Sequence, residues 1–317
     1  MSATGEVTVR APAKINLELR VGPLRADGFH ELATVFHAVS VFDDLIARPG
    51  EPGSGVTITV EGSAAPAVPT DASNLAVKAA YLLAERVGLD LRDDTGVRFH
   101  LRKGIPVAGG MAGGSADAAA ALVACDALWH TGLDRDQLHE LAAELGSDVP
   151  FSLLGGTAIG GGRGERLTPA LARGEYHWVV AVADHGLSTP AVYAEIDRLR
   201  AAGLAPEPDP EPQISEALMQ ALRAGDAEAL GAGLSNDLQA AACSLDPMLE
   251  QALEIGRKVG ALGGMVSGSG PTTVFLARDS SHALDLAVAL TASGVAADVH
   301  RSIGPVPGAR LVEAVRS

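Results

Sequence analysis

Residues 106–118 read PVAGGMAGGSADA and run into the almost unbroken apolar segment AAAALVACDALW at 118–129. Four glycines and two alanines fall between positions 109 and 116. A backbone with so few side chains can fold tightly around a ligand and point several N–H groups at one spot. A helix that starts near Ser115 would add the positive end of its dipole at the same place. The pattern predicts an anion site suited to the phosphates of a nucleotide.

Three other interpretations of this loop compete with that one. No G-x-x-x-x-G-K-[ST] sequence occurs, and Met111 interrupts the spacing of a dinucleotide-binding G-x-G-x-x-G motif. A flexible Gly/Ala turn between a strand and a helix remains open. The apolar run directly behind the loop argues against a mere linker, because a linker has no need to open a buried helix.

Length and charge limit the classes of function. A chain of 317 residues is long for one core and natural for two domains. Hydrophobic residues make up 47% and aromatic residues only 3%, so Ala, Val and Leu must build the cores. The net charge of −15, without any Lys/Arg cluster, makes nucleic acid and anionic membrane surfaces poor partners. An anionic small substrate must then be held by local dipoles and a few well-placed cations.

The two cysteines and the N-terminal sequence suggest a soluble protein of a reducing compartment. Cys125 and Cys243 lie in apolar helical contexts without metal-type spacing and are predicted to be buried thiols. MSATGEVTVR has no pattern of a signal peptide, and no apolar run approaches a membrane span. We expect a cytoplasmic location.

The periodicity of the chain predicts an α+β fold in two domains, residues 1–165 and 166–317. Residues 6–21 alternate as a strand with Lys14 and Asn16 on its polar face. Ser73 is a plausible cap of a helix over 73–87 that stops at Gly88, and Asp134 with Gln137 forms a capping box. The Pro-rich acidic stretch 206–213 is an exposed loop, and the second domain is a two-layer sandwich.

Four short stretches offer reactive side chains beside the phosphate loop, and each has a simpler explanation. Lys14 is otherwise a solvated strand lysine, and Asp148 an N-cap of a short helix. Asp27-Gly28-Phe29-His30 is otherwise an ordinary D-G turn, and Ser267-Gly268-Ser269-Gly270-Pro271 a tight β-turn.

Taken together and in this order, the stretches resemble the GHMP kinases, the superfamily of galactokinase, homoserine kinase, mevalonate kinase and phosphomevalonate kinase. The resemblance rests on APAKINLELRV (11–21), R-x-D-G-F-H (25–30), IPVAGGMAGGSADAA (105–119), GSDVPF (146–151) and VSGSGPTTVF (266–275). Within this superfamily, PAKINL together with the D-G-F-H segment resembles the motifs of the kinases that phosphorylate cytidine-diphosphate-linked methylerythritol.

This resemblance implies a two-domain GHMP kinase fold, with an N-terminal nucleotide-binding domain like one of the ribosomal proteins and a C-terminal α/β sandwich. It also implies that the γ-phosphate of ATP passes to the 2-hydroxyl of 4-diphosphocytidyl-2-C-methyl-D-erythritol, a step of the non-mevalonate isoprenoid pathway. Mg²⁺ would arrive on the nucleotide. By the same resemblance, Asp148 accepts or orients the hydroxyl proton, and Lys14 pairs with it and opposes the charge that builds on the phosphoryl oxygens.

The resemblance also implies which residues bind the acceptor substrate and which bind ATP. Asn16 would hold the methylerythritol end, and Phe29 and His30 would meet the cytosine. The ATP-binding residues would be Pro106, Val107, Ala108, Gly109, Gly110, Met111, Ala112, Gly113, Gly114, Ser115 and Ala116, with Lys103 and Asn74 near the nucleotide.

Two departures from the family pattern affect the phosphate loop. Ala112 replaces a glycine, a small change if its φ is negative, and Ala116 lacks the hydroxyl usual at that position. Phe29 stands where tyrosine is common.

Two other functions remain open: another small-alcohol kinase of the superfamily, of the homoserine or mevalonate type, and a non-catalytic RNA-binding relative. The negative charge and the Lys14/Asp148 pair argue against the latter.

Overall fold

The computed structural model describes residues 5–63, 65–91, 95–107 and 109–312. The strands are β1 (Val7–Leu24), β2 (His30–Gly50), β3 (Val56–Glu61), β4 (Gly96–Arg102), β5 (Thr157–Gly162), β6 (Arg166–Pro169), β7 (Tyr176–Val182), β8 (Ser235–Asn236), β9 (Gly263–Val266), β10 (Thr273–Ala277), β11 (Asp298–Gly304) and β12 (Arg310–Leu311). The helices are α1 (Leu75–Val87), α2 (Gly113–Trp129), α3 (Arg135–Leu145), α4 (Val149–Leu154), α5 (Thr189–Ala201), α6 (Glu216–Ala224), α7 (Ala227–Gly233), α8 (Gln239–Leu245), α9 (Met248–Val259) and α10 (Ser280–Ser293).

A large sheet carries the N-terminal half of the chain, in the order β12-β1-β2-β4-β3. The strands β5 and β6 continue it from β2, and β8 adds to β1. The long antiparallel pair of β1 and β2 runs from Val7 opposite Ala47 to Leu24 opposite His30. Helix α2 packs on both strands through a run of fully buried alanines, 118–121, whose small side chains let the helix approach the sheet closely.

A smaller antiparallel sheet, β11-β7-β10-β9, forms the second layer of the C-terminal half. Its core contains Val179, Phe275 and Leu286, with apolar side chains of α5, α8, α9 and α10 around them. Within the described residues, no helix combines the length and apolar character needed to cross a lipid bilayer.

The helix ends follow the predicted signals with one correction. Asn74, not Ser73, is the N-cap of α1: its Oδ1 accepts a hydrogen bond from the Ala76 N–H at 2.8 Å, while the Ser73 hydroxyl donates to Asp71. Gly88 ends α1 in the left-handed conformation at φ 72°, as predicted. The capping box of Asp134 and Gln137 at the start of α3 is confirmed.

The polar face of β1 is buried, although its alternation predicted a strand with a polar side. Lys14, Asn16 and Glu18 are 7%, 2% and 0% exposed. Segments of the second half of the chain cover this face, since the Ser215 N–H donates to the Glu18 carboxylate at 3.0 Å. The solvated-lysine interpretation of Lys14 is therefore wrong.

The division at residue 165 stays a prediction. It falls between β5 and β6, which pair in the large sheet, and β8 and β12 join that sheet from the C-terminal half. Residues 206–213 form no helix or strand, as expected for a loop.

Both cysteines are free thiols, but only Cys125 is fully buried, whereas Cys243 is half-buried. The prediction of two buried thiols is thus confirmed for Cys125 alone. Burial raises the pKa of both thiols, for Cys243 to about 11.

Candidate functional site

The glycine-rich loop ends at the N-terminus of α2. This helix starts at Gly113, two residues before the predicted Ser115, and runs for 17 residues. Its first turn closes when the Ala116 N–H donates to the Ala112 carbonyl at 2.9 Å. The preceding N–H groups, of Gly113, Gly114 and Ser115, have no acceptor within the helix. These groups and the helix dipole provide the predicted setting for an anion.

Ala112, the residue before α2, has a positive φ of 59°. The condition under which its replacement of glycine would be a small change therefore fails. An L-residue in this left-handed region costs on the order of 1–2 kcal/mol relative to the right-handed helix. Because of this φ, the backbone is strained where the chain enters α2, and the Ala112 side chain provides no capping hydrogen bond. Ala112 lines both cavities described below.

The first cavity, of about 370 Å³, opens beside this turn. Most predicted ATP-binding residues line it: Asn74, Lys103, Pro106, Val107, Gly109, Gly110, Ala112, Gly113 and Gly114. Met111 and Ala116 are buried in the core instead, and Ser115 is partly buried outside the cavity wall. Ala108 lies outside the described residues.

Met111 links the glycine-rich loop to β1 through its backbone, because its carbonyl accepts a hydrogen bond from the Lys14 N–H at 3.2 Å. The Asn74 side chain is engaged as well: besides capping α1, its Nδ2 donates to the Pro69 carbonyl at 2.7 Å. The roles of these residues in nucleotide binding stay predictions.

A buried ionic cluster adjoins the first cavity, and two of its members, Lys103 and Asp117, line the cavity wall. The Lys103 ammonium contacts Asp43 Oδ2 at 2.5 Å and Asp117 Oδ2 at 2.9 Å, and the three side chains are 2%, 0% and 4% exposed. Asp43 Oδ1 also accepts hydrogen bonds from the Gly104 and Ile105 N–H groups, at 2.8 and 2.9 Å. Asp117 Oδ1 has no partner among the described residues.

The pKa values of this cluster reflect one cation shared by two carboxylates. Burial lowers the pKa of Lys103, but the charges of Asp117 and Asp43 outweigh burial and the net shift is upward. Burial and the Asp43 charge raise the pKa of Asp117 well above its usual range. The Lys103 charge is therefore largely neutralised by Asp43 and Asp117, and little of it is left to attract a ligand.

The second cavity, of about 340 Å³, brings together the two predicted catalytic residues. Lys14 Nζ lies 3.5 Å from Asp148 Oδ2 although the two are far apart in the chain. The ammonium donates to Asn16 Oδ1 at 3.0 Å and lies 5.1 Å from the centre of the Phe36 ring. Asn16 in turn donates from Nδ2 to Thr34 Oγ1 at 2.7 Å, which fixes the amide orientation.

Asp148 occupies the N-cap position of α4, but its side chain makes no capping hydrogen bond. The carboxylate is instead 32% exposed and faces the second cavity. Tyr193 lines the same cavity, and burial together with the Asp148 charge raises the pKa of its phenol to about 12. The carboxylate is thus available to a ligand rather than used by the helix.

Phe29 and His30 lie just beyond the second cavity. His30 is buried, with Nε2 3.1 Å from Asp197 Oδ1 and its ring 5.0 Å from that of Tyr193. Phe29 is 51% exposed, and the guanidinium carbon of Arg163 lies 5.1 Å from the centre of its ring. Tyr193 and Arg163 both line the second cavity, so they connect it with these two residues.

The stretch 267–271 is a tight turn, as the simpler interpretation predicted, and it also lines the site. The Gly270 N–H donates to the Ser267 carbonyl at 2.9 Å, and Gly268 and Ser269 line the second cavity. A Cβ at Gly110 would lie 2.8 Å from the Ser267 carbonyl oxygen, so the glycine-rich loop packs directly against this turn. Gly28 likewise forms a turn, at φ 82°.

Gly110 and Ala112 line both cavities. A ligand that extends from the first cavity past the start of α2 therefore reaches the second, where Lys14 and Asp148 lie. The arrangement suits an anionic chain whose end meets an ion pair and a second, separately bound molecule.

Sequence reasoning missed Phe36, Arg163, Tyr193 and the carboxylates Asp43 and Asp117. Tyr193 stands in an ordinary amphipathic helix, and Arg163 in a glycine-rich turn, without any local sign of a site. Asp117 alone carried a signal, since a charged residue there opens an otherwise apolar helix.

Comparisons with known proteins find two family models in the chain. The model described as GHMP kinases N terminal domain matches residues 74–156, and GHMP kinases C terminal matches residues 218–296. A protein of Thermobifida fusca named 4-diphosphocytidyl-2-C-methyl-D-erythritol kinase is 56% identical, over 98% of this chain and 100% of its own length. The protein of that name from Mycobacterium bovis is 52% identical, over 98% of this chain and 94% of its own.

Solved structures give the same picture. A crystal structure of 4-(cytidine 5'-diphospho)-2C-methyl-D-erythritol kinase superposes with a TM-score of 0.75 at 35% identity, over 94% of this chain and 99% of the other. A homoserine kinase from Cytophaga hutchinsonii superposes with a TM-score of 0.73 at 18% identity, over 98% and 99%, a likeness of fold alone.

Proposed function

Because the chain belongs to the 4-diphosphocytidyl-2-C-methyl-D-erythritol kinases within the GHMP kinases, we propose that it transfers the γ-phosphate of ATP to the 2-hydroxyl of that substrate. The membership confirms the predicted α+β fold with N- and C-terminal GHMP kinase parts. The reaction would be a step of the non-mevalonate isoprenoid pathway. A kinase of the homoserine or mevalonate type has less support, since those likenesses are of fold only.

One observation carries the assignment of the site: the two cavities meet at Gly110 and Ala112, directly before α2. ATP would place its base and ribose in the first cavity and its phosphates against the free N–H groups of Gly113, Gly114 and Ser115. The γ-phosphate would then point into the second cavity, toward Lys14 and Asp148. Phosphoryl transfer needs chiefly this kind of positioning and charge stabilisation.

Asp148 would accept the proton of the attacking 2-hydroxyl or orient that hydroxyl toward the phosphorus. Its carboxylate is free of the helix cap and partly exposed to the second cavity. Lys14, 3.5 Å away, would oppose the negative charge that develops on the transferred oxygens. Asn16 and Phe36 hold the ammonium in place through a hydrogen bond and a ring contact.

The acceptor substrate would lie along the second cavity and its outer edge. Asn16 would contact the methylerythritol end, and Phe29 and His30 the cytosine. The contact of His30 with Asp197 favours a protonated Nε2, which leaves Nδ1 as the acceptor in the neutral ring. An aromatic face at Phe29 suits a pyrimidine base.

Mg²⁺ would enter on the phosphates of ATP, which are usual ligands of that ion. The carboxylate oxygens beside the phosphate path belong to Asp117 in the first cavity and Asp148 in the second, and oxygen donors of this type suit Mg²⁺. The ion would neutralise part of the phosphate charge. We propose the cytoplasm as the location, in keeping with the free thiols of Cys125 and Cys243.

A turnover assay with alternative acceptors tests the function. The purified chain with MgATP should phosphorylate 4-diphosphocytidyl-2-C-methyl-D-erythritol, and phosphorus NMR should place the new phosphate on the 2-hydroxyl. With homoserine or mevalonate at the same concentration, the rate of ADP formation should not exceed the rate of ATP hydrolysis without any acceptor. A preference for either of them would instead assign the other type of small-alcohol kinase, and no turnover with any acceptor would revive the non-catalytic interpretation.

A further inference from the structure

Arg163 lies in the turn between β5 and β6. This turn is between the residues proposed to bind the cytosine and those proposed to bind the reacting hydroxyl. Arg163 lines the second cavity together with Lys14 and Asp148. At the same time its guanidinium carbon is 5.1 Å from the centre of the Phe29 ring. This one side chain therefore adjoins both the catalytic ion pair and the proposed base-binding residue.

Apart from its contact with the Phe29 ring, the Arg163 guanidinium has no carboxylate partner among the described residues, unlike the other cations around it. Arg25 and Arg166 both pair with Glu31, at 2.6 and 3.0 Å, and Lys14 pairs with Asp148. At Arg163 the only polar contact within the described chain is through its backbone, whose N–H donates to Glu165 Oε2 at 2.7 Å. The guanidinium thus remains open to an anion.

The turn that carries Arg163 is held firmly against the site. Gly164 has a φ of 103°, and a Cβ there would lie 3.2 Å from Cζ of Phe36, the ring that also contacts Lys14. Few residues other than glycine allow this backbone conformation and this close approach. The position of the Arg163 backbone relative to Lys14 is accordingly fixed by packing.

We propose that Arg163 binds the diphosphate of the acceptor substrate, an inference that rests on the proposed function. A diphosphate joins the cytidine to the methylerythritol, so it must lie between the base at Phe29 and the hydroxyl at Asp148. A guanidinium offers planar paired donors that match phosphate oxygens. In a chain with a net charge of −15, attraction for such an anion has to come from local cations of this kind.

Binding of cytidine and of CDP, measured by calorimetry, separates a contact with phosphate from an effect through the Phe29 ring. The variants are Arg163→Met, which keeps an extended side chain beside the ring, and Arg163→Lys, which keeps the charge. Arg163→Met should weaken CDP binding roughly tenfold, as expected for a lost charge-assisted contact at a partly solvated site, and cytidine binding much less. Arg163→Lys should restore part of the difference.

Arg166→Met is the matched control, because Arg166 is in the same hairpin but is 70% exposed and paired with Glu31. It should leave the ratio of the two dissociation constants unchanged. Equal losses of cytidine and CDP affinity in Arg163→Met would overturn the proposal, since the residue would then act only through Phe29. An unchanged CDP affinity would overturn it as well.

Steady-state kinetics distinguish failure of this inference from failure of the proposed function. With 4-diphosphocytidyl-2-C-methyl-D-erythritol, Arg163→Met should raise the KM for that substrate roughly tenfold and leave kcat and the KM for ATP nearly unchanged. If the unaltered protein turns the substrate over and Arg163→Met does so equally well, only the role of Arg163 is refuted. If the unaltered protein neither binds CDP nor turns the substrate over, both proposals fall.

Discussion

Replacing Lys103 by methionine should destabilise the protein strongly and in a pH-dependent way. The ammonium is the shared partner of Asp43 and Asp117, and all three side chains are almost completely buried. Methionine has a similar length and leaves no large cavity, so the change isolates the charge. It leaves two buried carboxylates side by side without a cation.

The magnitude follows from the burial of the cluster. Removing one partner of a buried ion pair costs about 3–5 kcal/mol, because the remaining charge stays desolvated. Asp43 keeps its two backbone N–H donors, whereas Asp117 Oδ1 has no partner in the described structure, so Asp117 is the group that must take up a proton. We therefore expect the free energy of unfolding to fall by about 3–5 kcal/mol at pH 8.

The pH dependence has a definite sign. The folded-state pKa of Asp117 is already raised, by burial and by Asp43, and the Lys103 charge restrains it, so the substitution raises it further. A carboxyl with a raised folded pKa contributes stability below its unfolded pKa and loses it as the pH rises through the folded pKa. The deficit of the variant should hence grow between pH 5 and pH 8, by about 1.4 kcal/mol for each unit that separates the two folded pKa values.

Urea unfolding of both proteins at pH 5 and pH 8 measures this difference. Lys258→Met is the control, because Lys258 pairs with Glu254 at 2.9 Å on an exposed helix face, where such a pair contributes little to stability. A deficit below about 1 kcal/mol in Lys103→Met, or one that stays constant with pH, would refute the description of the cluster as a buried, proton-linked unit.

Three further substitutions test the site. Asp148→Asn should lower kcat by roughly two to four orders of magnitude while the circular dichroism spectrum and ATP binding stay unchanged, and near-normal turnover would exclude Asp148 as the base. His30→Ala should raise the KM for the cytidine substrate by the factor that corresponds to about 1–3 kcal/mol of lost binding free energy, and it should leave the KM for ATP unchanged. The reverse result would show that the two nucleotide pockets are assigned the wrong way round. Gly110→Ala should weaken ATP binding measured by calorimetry, because φ is 71° and a Cβ would lie 2.8 and 3.0 Å from two carbonyl oxygens, and unchanged affinity would contradict the tight phosphate loop.

The elements of the proposed nucleotide site and the start of the neighbouring helix α3 were predictable because their signals are local. The glycine-rich loop, the apolar run of α2 and the capping box of α3 each depend on neighbours within a few residues. The proximity of Lys14 and Asp148 followed from the family resemblance, and the structure brings them to 3.5 Å.

The features of the site that could not be predicted from the sequence depend on contacts between segments that are distant in the chain. The burial of Lys14, Asn16 and Glu18 arises from chain that follows far later, so strand alternation alone gave the wrong surroundings. Tyr193 and Arg163 reach the site from an ordinary amphipathic helix and a glycine-rich turn, neither of which carries a local sign of a binding site. The positive φ of Ala112 likewise is imposed by packing, since alanine by itself avoids that conformation.

The strand that carries Lys14 is joined by segments from the far end of the chain, and this pairing has a consequence for biosynthesis. Val9 and Arg10 pair with Leu311 and Arg310 in β12, and β8 pairs with the same strand at Glu18. A ribosome that has released only the first half leaves this edge of β1 open, and an open edge is prone to pair with other chains. Closing such long-range contacts is slow, so the edge stays exposed while the rest is made. The surroundings of Lys14, the residue proposed to act in catalysis, are therefore complete only after the C-terminal segments have emerged, and we expect a nascent chain to gain activity only then.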